Sequence, residues 1–125
     1  MNIRDGVLLV GEPGFEFGDP VDKIRQVVNK YITRERLESG YFLTDNIKIE
    51  DVECKATFLF DNEGLKYIDA LIDKEKASDE DIEKCKEKMI RYAKELKDTI
   101  HINADMDEEK PFIYLQRKIG EDKFL

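Results

Sequence analysis

The spacing of apolar residues changes period several times along the chain, and each change predicts a new element. Val21, Ile24, Val27, Val28, Tyr31 and Ile32 recur at helical spacing, the mark of an amphipathic helix. Asp19-Pro20 supplies an N-capping acid and a proline at the first helical position. Gly40 then predicts that this helix ends within Thr33 to Ser39. From Tyr41 to Ile72 the period falls to two. Ile47 and Ile49 alternate with Lys48 and Glu50, and Cys54, Ala56, Phe58 and Phe60 alternate with Lys55, Thr57 and Leu59. Asp61-Asn62-Glu63-Gly64 reads as a hairpin loop, with Leu65 to Ile72 returning as the partner strand.

Ser78-Asp79-Glu80-Asp81 predicts a second helix start, a serine cap followed by acids in the first turn. Ile82, Cys85, Met89, Tyr92, Ala93, Leu96 and Ile100 continue it as one stripe. Gly6 to Val10 reads as a short strand ahead of a Gly-Glu-Pro-Gly turn, and Phe112 to Ile119 as a last strand after an acidic loop from Asn103 to Lys110. Together these elements predict a single α+β domain over residues 1–125. Its expected form is two-layered, a mainly antiparallel sheet of about four to five strands with two helices on one face.

Charge narrows the partners. The net charge is −8, with 29 acids against 21 bases, spread evenly rather than gathered in a tail. Such a field repels phosphate, so neither nucleic acid nor an anionic membrane is expected as a partner, and a protein with a basic surface is. No run approaches the ~20 apolar residues of a membrane span. The first residues, Met1-Asn2-Ile3-Arg4, do not resemble a secretory signal. Cys54 and Cys85 lie far apart with no C-x-x-C pair, which suggests reduced thiols and a cytoplasmic setting.

Candidate chemistry is sparse. There is one histidine, His101, and there are two serines, Ser39 and Ser78. His101 has Asp98 and Asp105 nearby in sequence, but no adjacent nucleophile, and its position at the end of the helical stripe suggests a helix-end interaction. Cys54 and Cys85 fall on apolar faces and read as buried hydrophobes. Neither serine stands in a G-x-S-x-G context. The run Asp105-Met106-Asp107-Glu108-Glu109 lacks the glycine and the distal glutamate of a calcium loop. The glycines between Gly11 and Gly18 lack a G-K-[ST] ending, and Glu12, Glu16 and Asp19 would repel phosphate. No catalytic residue, metal or cofactor is therefore expected.

Aromatic residues outside the stripes carry the remaining signal. Phe15, Phe17, Tyr41, Phe42, Tyr67 and Tyr114 do not all fit one helix-covered sheet face. Either they form an apolar platform for a partner or the N-terminal segment folds over them. The sequence thus points to a non-catalytic interaction domain of the inhibitor or immunity type, binding a basic protein. The expected contact residues are Asp105, Asp107, Glu108, Glu109, Tyr67 and Tyr114. The alternative is a small-ligand or sensory domain with a pocket between sheet and helix. A homodimer through an exposed strand edge is compatible with either.

Overall fold

The computed structural model describes residues 1–36, 38 and 40–118. Ser39 and Ile119, both named above, lie outside the described residues. Among these residues eight strands and two α-helices follow in the order β1 (Asn2–Arg4), β2 (Val7–Leu9), α1 (Val21–Val28), β3 (Ile32–Arg36), β4 (Tyr41–Ile49), β5 (Val52–Asp61), β6 (Gly64–Ile72), α2 (Asp79–Glu95), β7 (Ile100–Asp105) and β8 (Phe112–Arg117).

The architecture corrects the expectation of a two-layer domain with a four- to five-stranded sheet. Among the described residues eight strands form one curled, mixed sheet, ordered β1-β2-β4-β5-β6-β8-β7, with β3 also pairing β4. β2 runs parallel to β4, and the other pairs are antiparallel. Register shifts interrupt β3–β4, β4–β5 and β5–β6. Extra residues at such points increase local twist and bend the strands, which suits a half-barrel curl better than a flat layer.

Three local readings change with it. The first helix stops at Val28 and, after one 3₁₀ turn over Asn29–Tyr31, the chain enters β3 instead of continuing helically. β-branched Ile32 and Thr33 favour the extended form once β4 offers a ladder. α2 ends at Glu95, so Ile100 and His101 belong to β7 and not to a helix end. The helical stripe had absorbed them because 96 and 100 are also four apart. Asn103 to Asp105 belong to β7 as well, which confines the acidic loop to the residues between Asp105 and Phe112.

The core follows alternation between the register shifts. Phe42 and Thr44, Ala56 and Phe58, Ile68 and Ala70, and Ile113 and Leu115 face inward along successive strands and are buried. Phe42 packs against Phe58 and Phe60 with ring centroids 5.7 and 5.1 Å apart. α1 adds Ile24 and Val28, and α2 adds Cys85, Met89 and Tyr92 to the same cluster. The N-terminal segment joins this side too. Phe15 is buried in the core, and Gly18 N–H and Leu65 N–H donate to Leu65 O and Asp19 O. Among the described residues no helix is long and apolar enough to cross a membrane.

Candidate functional site

The sheet face opposite the core collects the polar and aromatic halves of the alternation. Its rows are set by pairing: Tyr41, Leu59, Tyr67, Gln116 and His101 are successive cross-strand neighbours. The next row holds Leu43, Thr57, Asp69, Tyr114 and Asn103. Tyr67 and Tyr114 lie on diagonal positions of β6 and β8, and their ring centroids stand 5.2 Å apart at an interplanar angle of 35°. That separation is a favourable aromatic contact. Lys66 Nζ sits 6.0 Å from the Tyr67 centroid. Both rings are part-buried. Of the six aromatics that resisted assignment, Phe15 and Phe42 enter the core and Phe17 packs against it.

Asp69 lies directly across the ladder from Tyr114. No cation pairs with it among the described residues, and burial alone raises its carboxyl above the ordinary range. The Tyr114 phenol is also raised, first by burial, then by Tyr67 and Asp69. A carboxylate that pairs with no cation among the described residues, beside two phenols in tilted contact, therefore marks the middle of this face. No feature of the sequence other than period-two parity distinguishes Asp69 from its many acidic companions.

The acidic loop lies at the end of the same β7–β8 hairpin. Asp105 Oδ1 accepts the Asp107 N–H at 3.0 Å, a local turn that starts the loop. Buried Met106 anchors it, and buried Pro111 leads into β8. Asp107 pairs with Lys86 of α2 at 2.9 Å, which draws one of the four acids into the fold. Glu108 and Glu109 are exposed and carry no ion pair among the described residues. Asp105 faces Phe112 across the hairpin, and Tyr114 is two residues further along β8, about 7 Å away. The expected contact residues thus divide into a tyrosine pair on the sheet face, beside which the unexpected Asp69 lies, and an acidic tip adjoining it.

The other candidates separate. His101 lies on β7, opposite Gln116, and Asp105 is four strand residues away, about 13 Å along the chain. Cys54 and Cys85 are both buried, and burial pushes both thiols up to about 12. Cys85 Sγ donates to Ile49 O at 3.8 Å. Among the described residues no group of three or more His, Cys, Asp or Glu side chains is placed to hold a metal ion. A cleft of about 530 Å³ opens between the 10–17 segment and Leu96, Thr99, Ile100 and Arg117. No family model, curated protein or solved structure matches the chain.

Proposed function

We propose that this protein is a non-catalytic interaction domain that binds a protein with a basic surface through the β7–β8 hairpin, in the manner of an inhibitor or immunity protein. The observation that carries this reading is the grouping of Asp69, Tyr67 and Tyr114 beside an acidic tip where Glu108 and Glu109 are exposed and pair with no cation among the described residues. An arginine or lysine from a partner would meet the Asp69 carboxylate, and the tyrosine faces would take the stem of that side chain. The tip carboxylates would steer the approach. A cytoplasmic setting is part of the same proposal.

The test uses immobilised full-length chain to capture proteins from the source lysate, with elution in a salt gradient. A basic protein retained by the wild type should elute at lower salt from a variant carrying D105N, D107N, E108Q and E109Q. It should be lost from Tyr67→Ala with Tyr114→Ala. Equal retention on all three surfaces overturns the assignment. The cleft at the 10–17 segment favours a second reading, because its volume falls within the ordinary range of small-ligand sites. A thermal shift of several degrees with one metabolite class, retained in the tyrosine variants, would select it.

A further inference from the structure

We infer that two copies of this chain associate by antiparallel pairing of their β7 edges, forming a two-fold dimer centred on Asn103. This does not rest on the basic-partner reading.

Among the described residues the sheet has three lateral strands, and β7 is the one that lacks the usual edge protection. β1 has three residues and ends in an exposed arginine, Arg4. β3 is broken by a register shift and carries Arg34, Glu35 and Arg36. Short length, bulges and charged side chains are the usual means of blocking edge-to-edge pairing. β7 has six residues, an unbroken register against β8, and no lysine, arginine or proline. Among the described residues β8 is its only strand partner.

The direction of its backbone groups follows from the flanking hydrogen bonds. Lys118 N–H donates to Thr99 O, so the mutually bonded rungs with β8 are the odd positions of β7, namely His101, Asn103 and Asp105. Ile102 and Ala104 therefore direct N–H and C=O away from β8. Ile100 also points outward, but its N–H already donates to Leu96 O at 2.9 Å. In an antiparallel two-fold pair, the register that joins Ile102 to Ala104 of the partner copy, and Ala104 to its Ile102, uses all the outward groups of both residues. That register sets His101 opposite Asp105 of the partner copy, twice per dimer.

Side chains on the other face agree. Ile102 and Ala104 line a groove of about 310 Å³ with Ile90 and Ala93 of α2. Ile90 is 53% exposed, one of two large exposed apolar residues among those described. A two-fold operator through Asn103 brings α2 of each copy to the same side of the joined sheet and covers both grooves. The same patch supplies both surfaces, as an isologous interface requires.

Sedimentation of the full chain from micromolar to submillimolar concentration, with amide exchange read in parallel, tests this. The mass should rise from 14.7 kDa towards twice that value. The amides of Ile102 and Ala104 should become protected as it does, while those of His101, Asn103 and Asp105 are protected at every concentration. Ala104→Pro removes an outward N–H and leaves the β8 ladder intact, and Ile90→Glu charges the groove. Each should weaken association by about tenfold or more. Wild type that stays at 14.7 kDa throughout overturns the inference, as does a dimer that persists in folded Ala104→Pro. Should that variant fail to fold, a dimer unaffected by Ile90→Glu, or one without protection at Ile102 and Ala104, overturns it equally.

Discussion

Glu50 offers the sharpest test of how the sheet is held to its helix. It occupies the tight β4–β5 connection with φ of 54° and is only 2% exposed. Its carboxylate accepts the Val10 N–H at 3.2 Å and pairs with Lys88 of α2 at 3.3 Å. One side chain thus joins β4, the chain just after β2, and α2. Glu50→Ala leaves the buried Val10 N–H without an acceptor, at a cost of about 1–3 kcal/mol. It also strips Lys88 of its buried partner, bringing the expected loss to about 2–4 kcal/mol. Glu50→Gln keeps an oxygen for Val10 and loses only the charge, so it should cost about 1 kcal/mol. Glu50→Gly relieves the left-handed backbone and should be about 1 kcal/mol more stable than Glu50→Ala. Asp51 also reaches Lys88, at 3.6 Å, but is 54% exposed, and Asp51→Asn should be near neutral. Urea titration at neutral pH measures all four, provided the slope is unchanged. A Glu50→Ala midpoint within about 0.5 kcal/mol of wild type would refute the reasoning.

Other consequences follow from the same geometry. Asp69→Asn should raise the thermal midpoint at neutral pH and have no effect well below pH 4, measured by melting across pH. The sign follows from its raised carboxyl: the native state holds that proton more tightly than the unfolded chain, so the charged form costs stability as pH rises from about 4. Asp61 behaves oppositely. Burial raises its carboxyl, but Arg117, at 2.7 Å, and the Glu63 N–H outweigh this and lower it. Its stabilisation is present above about pH 4 and lost as pH falls below, so Arg117→Met should flatten the acid limb of the melting profile. Cys54 and Cys85 should react with a thiol reagent only as fast as the protein unfolds, and rapid native labelling would contradict their burial. Gly64→Ala should cost about 2 kcal/mol or more, because Gly64 has φ of 99° and a Cβ there would strike the Gly18 carbonyl.

What the sequence by itself determined was local. Period-two alternation and Asp61-Asn62-Glu63-Gly64 defined the β5–β6 hairpin, which pairs Asp61 with Gly64. The apolar stripe and Ser78 defined α2, whose first turn is capped by Ser78 Oγ accepting the Asp81 N–H at 3.1 Å. These elements were legible because each carries enough turns or rungs to show its own period. β1, β3 and β7 were not. β1 has only three residues, while Ile32 of β3 and Ile100 of β7 also fit the spacing of the helical stripes that precede them, so their extended form is decided by the ladder a distant strand supplies. The same dependence decided the candidate site. The acids of the loop were visible as a run, whereas Tyr67, Asp69 and Tyr114 became neighbours only when β8 returned beside β6. Local spacing chooses an element from its own residues. Strand order, and with it every contact between remote side chains, is chosen by which arrangement buries the most apolar surface while satisfying the backbone.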